Sequence, residues 1–421
     1  MTIDRRQFST GLLAAASLIA MPGVLRAQTK PRVVVIGGGP GGATVAKYVA
    51  RDSQGAIDVT MVEPLEKFIT CFHSNLVLGD MRSMESITHP YKLGGYGVKH
   101  VRQMAAAIDR DKKQVRLADG STLDYDRLVV APGIDIKFDS VPGYSEAAAE
   151  IMPHGWKPGA QTLLVKKQLD AVEDGATIVM LAPPNPFRCP PGPYERVSVM
   201  AKVLKAKGHT KSKIIVIDPK DKFSKMALFQ EGWQKHYPGM VEWMDPKMHG
   251  GVKSVDPKAM TVTTDFETIQ AAMVNVIPAQ MAGRIARDAG LANQTGYCPV
   301  EAANMKSALD PNIYVLGDAA IAGAMPKSAF AANSQAKVVA NAVRGELTGA
   351  RTFPARYANT CWSVLAKDDT VKVGGRYEPK DGAIAEVEGF VSKTGEDSGL
   401  RFQTAEENMG WYAGITADIF T

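Results

Sequence analysis

Cysteine is scarce in this 421-residue chain: only Cys71, Cys189, Cys298 and Cys361. They stand far apart with no C-x-x-C pair, so no zinc site, or metal site of any kind, is expected. Full pairing would allow three connectivities. Charge of one sign is also in short supply. The formal net charge is +5, and the first 27 residues hold +2 of it through Arg5, Arg6 and Arg26 against Asp4. No basic run is interleaved with aromatics, so no nucleic-acid partner is expected. Beyond the N-terminal segment there is no hydrophobic run of membrane-spanning length, so no stable membrane insertion is expected. A hydrophobic content of 45% with 22% charged residues is ordinary for a globular chain, and the length allows two or three domains.

Residues 1–27 read as a targeting segment. Arg5-Arg6-Gln7-Phe8 precedes an apolar stretch, Gly11 to Met21, and a small-residue end at Arg26-Ala27. The twin arginine followed by Phe resembles a Tat-type signal peptide, which exports proteins already folded around a cofactor. The apolar stretch is short for a bilayer span; an uncleaved anchor is the alternative. The mature chain is expected in the periplasm, where disulfides persist.

The rest is organised around Val33-Val-Val-Ile-Gly37-Gly-Gly39-Pro-Gly-Gly42. Four β-branched residues predict a short buried strand. Gly37, Gly39 and Gly42 have the G-x-G-x-x-G spacing, and a helix-compatible run, Ala43 to Ala50, follows. Such glycines permit a tight turn, close approach to a pyrophosphate and close strand–helix packing. The helix N-terminus adds free N–H groups for the phosphates. Ile57 to Val62 reads as the next strand, and Glu63, 21 residues after Gly42, is placed to bind a ribose hydroxyl. This combination predicts dinucleotide binding.

Residues Pro64 to Asn75 read as a loop near the cofactor, where Cys71 is either a small buried apolar residue or a thiol beside the cofactor ring. Asp109 to Asp124 predicts a β-meander with a hairpin at Asp119-Gly120. Tyr125 to Gly133 predicts a buried strand ending in a tight turn, and it resembles the motif that closes the first half of many FAD domains. Pro142-Gly143 and Pro153 to Pro158 read as a linker. A second α/β unit begins near Gln161, with a helix over Leu163 to Val172 and a strand over Ala176 to Leu181. That strand leads into Ala182-Pro-Pro-Asn-Pro-Phe-Arg188-Cys189-Pro-Pro-Gly-Pro193-Tyr194-Glu195-Arg196. Prolines lack the N–H groups that cradle phosphate and stiffen the loop. Nicotinamide binding is therefore not expected there. The loop instead holds a cysteine at the mouth of a strand, with Glu195 six residues on. Asp218, ending the strand Lys213 to Ile217, reads as a strand-end cap.

Phe223 to Pro238 predicts a helix, and Gly251 to Val276 short strands. Asn312 to Ala319 then resembles the strand-Gly-Asp motif of two-domain flavoproteins, in which the Asp binds the flavin ribitol; Asp318 is the candidate. Lys327 to Arg344 predicts a helix whose N-terminus would face the flavin pyrimidine. In the last 75 residues, Cys361 sits in a strand or strand edge, Val371 to Val391 reads as strands, and no amphipathic basic tail is evident.

Taken together, these motifs resemble those of the flavoprotein subunit of flavocytochrome c sulfide dehydrogenase. The resemblance runs from the Tat-like leader through Val33–Gly42, Cys71, the Pro-rich Cys189 loop with Glu195, Leu316-Gly317-Asp318 and Pro326-Lys327-Ser328 to Cys361-Trp362. It implies an α/β fold with two Rossmann-like dinucleotide-binding domains of the disulfide-reductase type plus a C-terminal α+β domain. The first domain would comprise 28–150 and 301–348, the second 151–300, and the C-terminal interface domain 349–421. It implies FAD held covalently through Cys71, a redox-active Cys189–Cys361 disulfide over the flavin, and Glu195 as a proton carrier. Cys298 matches no assigned role and reads as structural. The resemblance implies sulfide as substrate and a c-type cytochrome subunit as partner. No C-x-x-C-H occurs here, which puts any haem on that partner. Three rivals are a sulfide:quinone oxidoreductase, counted against by the missing C-terminal amphipathic segment; an NAD(P)H-dependent reductase, counted against by the proline loop; and a non-enzymatic flavin electron-transfer partner.

Overall fold

The computed structural model describes residues 30–421; the expected signal peptide lies outside the described residues. Val33 to Ile36 are almost wholly buried, as a strand covered on both faces requires. The strand Arg32–Ile36 lies at the centre of a parallel sheet. The spatial order is Ile313–Val315, Arg127–Val130, Arg32–Ile36, Asp58–Val62, Val98–Val101. The chain leaves this sheet after its fourth sequential strand and returns at Ile313. The helix Gly42–Asp52 covers the sheet with Ala43, Val45, Ala46 and Val49 and packs beside the helix Ala329–Thr348.

A second parallel sheet runs Val241–Met244, Lys213–Ile217, Thr177–Leu181, Met273–Val276. The helices Ala160–Ala171, Gly192–Ala206 and Met226–His236 belong to this unit. Both sheets have the Rossmann-like arrangement, strands alternating with covering helices. The C-terminal part is an antiparallel meander, Tyr357–Ala366, Asp369–Lys380 and Ala383–Val391, followed by the helix Ser398–Phe420.

Two expectations need correction. Residues 64–75 are not simply loop: Lys67–Ile69 pairs with Thr88–Pro90, and Ser74 opens the helix Ser74–Leu78. The segment 153–158 is no exposed linker, since Pro153 to Trp156 are buried. Its carbonyls are drawn inward by Arg196, which donates to His154 O at 2.8 Å and to Gly155 O at 2.7 Å. The C-terminal segment is a 23-residue helix. Its buried positions 401, 404, 408, 412, 415 and 419 fall at helical spacing, but Arg401, Thr404 and Asn408 are polar, so the apolar period is weak. The helix is locked by polar contacts. Arg401 pairs with Glu231, Asp369 and Glu396, and Asn333 donates to Asp418 at 2.9 Å. Among the described residues no helix is long and apolar enough to cross a membrane.

Candidate active site

A groove of about 780 Å³ runs over the C-terminal ends of the first sheet, lined among others by Gly37, Gly39, Glu63, Cys71, Asp318 and Ala329. Each fingerprint glycine has its own reason to lack a side chain. Gly37 has φ +99°, and a Cβ there would stand 2.3 Å from Ala131 O. A Cβ on Gly42 would stand 1.9 Å from Gly37 O, so this glycine lets the helix seat on the strand. At Gly39 a Cβ would meet only the Phe68 ring, at 3.5 Å, which leaves that backbone open to a ligand. Glu63 accepts from the N–H of Gly38 at 2.8 Å and of Leu65 at 3.0 Å, which ties the acid to the glycine turn. Asp318 is held beneath the groove with Oδ1 buried and without a hydrogen-bond partner. Burial pushes its carboxyl up, against the pull of Arg188 and Lys327. An orphaned acceptor beside an open glycine turn fits a hydroxyl-bearing dinucleotide such as FAD.

Beside the groove lies a smaller cavity of about 80 Å³, into which Cys71, Cys189, Glu195 and Cys361 all face; Cys71, Arg188, Ser328 and Ala329 line both spaces. The eight groove and cavity candidates thus converge, with Gly42 seated beneath them. All four cysteines are free thiols, so the Cys189–Cys361 bond implied by the resemblance is not formed in this structure. Cys298 is fully buried, lines neither space, and has its thiol pushed up to about 12 by burial.

Cys189 is held in a left-handed conformation, φ +58°, which costs energy for a residue with a Cβ. Its N–H donates to Lys327 O at 2.8 Å and its carbonyl accepts from Gly192 N at 2.8 Å. Gly192 opens the helix Gly192–Ala206, and a Cβ there would stand 2.9 Å from both the Cys189 sulfur and the Trp156 ring. The glycine therefore lets the sulfur sit over the helix start. Burial pushes all three cavity thiols up.

Glu195 lies in the first turn of that helix. Its Oε1 accepts from Val364 N at 3.0 Å and its Oε2 from Asn75 Nδ2 at 2.8 Å. Burial raises its carboxyl above the ordinary carboxylate range, against these donors. Glu195 makes no direct ion pair with the neighbouring Arg196. Asn75 intervenes, its Oδ1 accepting from Arg196 Nε at 3.0 Å. Arg196 is buried among carbonyls and amides, which lowers it to about 10. The residues missed in the sequence are Asn75, Trp156, Arg188 and the aromatic wall Phe330, Trp362 and Trp411, all lining the small cavity. Trp362 and Trp411 stack at 5.1 Å. The signal for Trp362 was its place next to Cys361; Trp411 comes in only through the unforeseen C-terminal helix.

The second sheet's strand-end acid is fully engaged. Asp218 accepts from Tyr194 Oη at 2.5 Å, Trp243 Nε1 at 3.0 Å, Lys220 N at 3.1 Å and Lys220 Nζ at 2.6 Å. Phe223 stacks on Tyr194 at 3.6 Å. Asp218 thus caps its turn and anchors side chains.

Three family descriptions match the chain. Residues 31–160 match the pyridine nucleotide-disulphide oxidoreductases, 162–278 the central part of the sulfide dehydrogenase [flavocytochrome c] flavoprotein chain, and 353–420 the flavin-binding part of flavocytochrome c sulphide dehydrogenase. The sulfide dehydrogenase [flavocytochrome c] flavoprotein chain of Chlorobaculum thiosulfatiphilum is 56% identical over 46 residues, 11% of this chain and 94% of that relative. The mitochondrial sulfide:quinone oxidoreductase of Dictyostelium discoideum is 23% identical over 357 residues, 80% of this chain and 76% of the relative. Among solved structures, the sulfide:quinone oxidoreductase of Aquifex aeolicus shares the fold, with TM-score 0.74 and 16% identity over 92% of each chain.

Proposed function

The chain belongs to the flavocytochrome c sulfide dehydrogenase flavoprotein family of sulfide-oxidising flavoproteins, and we propose that it oxidises sulfide at the Cys189–Cys361 pair and delivers the electrons to a c-type cytochrome. The observation that carries this reading is the convergence of Cys71, Cys189, Glu195 and Cys361 on one cavity that adjoins the dinucleotide groove.

The groove residues Gly37, Gly39, Glu63 and Asp318 would hold FAD, with Cys71 as the point of covalent attachment and the start of the helix Ala329–Thr348 facing the ring. FAD supplies a two-electron acceptor that can release its electrons one at a time. The protein's own part begins with an oxidised Cys189–Cys361 disulfide. Hydrosulfide attacks one sulfur; the S–S bond breaks, a new S–S bond forms to the substrate sulfur, and the other cysteine leaves as a thiolate carrying the electron pair. Glu195 accepts the substrate's proton. A second hydrosulfide takes the outer sulfur as polysulfide and releases the cysteine as a thiolate. The two thiolates re-form the disulfide by giving up an electron pair, for which the flavin in the groove would be the acceptor. Trp156 and the wall of Phe330, Trp362 and Trp411 limit water around the reacting sulfurs. The haem belongs to a partner chain, and the mature protein works in the periplasm after Tat-type export.

A quinone acceptor is the second reading, favoured by the long stretch shared with the Dictyostelium sulfide:quinone oxidoreductase. The C-terminal helix also removes one argument against it, because that helix exposes Phe402 and Met409 one heptad apart. The test is steady-state sulfide oxidation with cytochrome c or with a soluble ubiquinone analogue as acceptor. Turnover with cytochrome c and none with the quinone supports the proposal; the reverse assigns the chain a quinone acceptor.

A further inference from the structure

Three lysines of the second unit and the returning flavin domain are withdrawn from solvent, and they differ in how their charge is balanced. Lys220 pairs with Asp218 at 2.6 Å. Lys327 sits beside Asp318, donates to Asp318 O and Ala320 O, and lies 4.0 Å over the Tyr297 ring. Lys225 is buried, and among the described residues no carboxylate lies within 4.0 Å of its ammonium. Its Nζ donates to three neutral acceptors: Cys361 O at 3.0 Å, Ser363 Oγ at 2.9 Å and Val371 O at 3.5 Å. A buried ammonium that no carboxylate touches is costly, and the charges acting on it from a distance are those of Cys361, Glu195 and Cys189. The chain also places Lys225 in a left-handed conformation, φ +62°, to bring it there.

We propose that Lys225 is a positioning residue whose ammonium, anchored on the backbone of Cys361, is the fixed counter-charge for a Cys361 thiolate in the small cavity. This thiolate is the one released when the disulfide opens, and in the reduced protein it forms when the Cys361 thiol loses its proton to solvent; no electron moves in that deprotonation. The titratable groups whose charge acts on the Cys361 sulfur are Lys225, Glu195, Cys189 and Tyr377, with Asn359 and Ser328 as its hydrogen-bonding neighbours; Cys71 and Arg196 act on Cys189 beyond it. Lys225 is the cation among those facing Cys361. Asn359 supports the same charge, its Nδ2 reaching the Cys361 sulfur at 3.5 Å. Burial lowers the Lys225 ammonium to about 8, and Cys361 is the strongest influence opposing that fall, ahead of Glu195 and Cys189. The inference takes its purpose from the sulfide reading of this cavity, but the charge itself is measurable without turnover.

The experiment uses FAD-loaded protein, reduced, desalted and kept anaerobic. The rate of labelling at Cys361 by methyl methanethiosulfonate, a small thiolate-selective reagent, is followed by peptide mass spectrometry across pH. Lys225→Met keeps the stem and the backbone strain and removes the charge. It is expected to shift the labelling midpoint upward and to slow labelling at neutral pH by about tenfold, the equivalent of one unit in thiol acidity. Lys225→Arg is expected to retain the wild-type profile. An unchanged profile in Lys225→Met overturns the proposal. Should that chain not fold, Lys225→Arg decides: a folded arginine chain with a raised profile overturns the proposal, and a retained profile supports it. Wild-type protein that fails to oxidise sulfide would sink the functional reading while leaving the labelling result to stand or fall by itself.

Discussion

Val364 donates its backbone N–H to the Glu195 carboxylate at 3.0 Å, and this bond ties the helix that follows Cys189 to the strand that carries Cys361. The acid that serves the cavity is thus also a fastening between its two cysteine-bearing elements. Glu195→Gln retains an acceptor for Val364 while losing the ability to take a proton. It is expected to lower kcat with sulfide by about 100-fold, the low end of general acid–base effects, and to lower the thermal midpoint, because the new amide nitrogen faces the Asn75 Nδ2 donor. Burial raises the Glu195 carboxyl, and the ionised form is the one that accepts a proton. In the wild type kcat/KM should therefore rise with pH above the ordinary carboxylate range, and the glutamine chain should lack that limb. A glutamine chain with wild-type kcat and the same limb removes Glu195 from proton transfer.

Asn75 joins Glu195 to Arg196, giving Nδ2 to the one and Oδ1 to the other. Asn75→Ala leaves a buried acceptor and a buried donor short of a partner at once. A loss of at least about 2 kcal/mol is expected from urea unfolding of the holoprotein. A loss near zero would mean that water replaces the amide without cost.

His154 is buried, and its Nδ1 accepts from Trp156 N at 2.8 Å, so the ring is held neutral. Burial, with Arg196, Lys157 and Arg188 nearby, lowers it from 6.5 to about 4. Between those values the unfolded chain binds the proton and the folded one does not. The stability contributed by the neutral ring is therefore present above pH 6.5 and lost as pH falls towards 4. His154→Asn, which preserves a short acceptor, should flatten the unfolding free energy over that window by at most about 1.4 kcal/mol per pH unit. His73, lowered to about 3 by burial, leaves a residual slope in the variant. An unchanged slope in His154→Asn contradicts the assignment.

Gly42→Ala places a Cβ 1.9 Å from Gly37 O, where only backbone can yield. The helix start must move off the strand and carry the phosphate-facing amides with it. Purified Gly42→Ala is expected to contain little flavin by absorbance, and wild-type flavin content would show that the turn can give.

How much could be seen beforehand depends on what each segment's pattern reports. Val33 to Ile36, Gly37, Gly39, Gly42 and Glu63 were legible because a doubly covered parallel strand, a tight turn and a strand-end acid each leave a local mark. Asp318 was legible for the same reason. The proline loop pointed to Cys189 because proline removes the N–H groups that a phosphate would use. Trp156 was hidden by its neighbours: Pro153, Gly155 and Pro158 read as linker, and the burial comes from Arg196, forty residues on. The helix Ser398–Phe420 was hidden because Arg401, Thr404 and Asn408 occupy its buried face and bond polar partners there, Glu231, Asp369 and Glu396 for Arg401 and His73 for Asn408, rather than forming an apolar stripe. Lys225 was hidden because nothing local marks a lysine whose acceptors lie on Cys361, Ser363 and Val371.

The most direct measurement is anaerobic mixing of purified, FAD-loaded protein with sulfide while the flavin absorbance is recorded, in the wild type and in Cys189→Ser and Cys361→Ser. The account predicts rapid bleaching in the wild type, recovery on adding oxidised cytochrome c, and loss of bleaching in both variants with flavin still bound. Full bleaching in either serine chain, or bleaching of the wild type by NADH but not by sulfide, would contradict it.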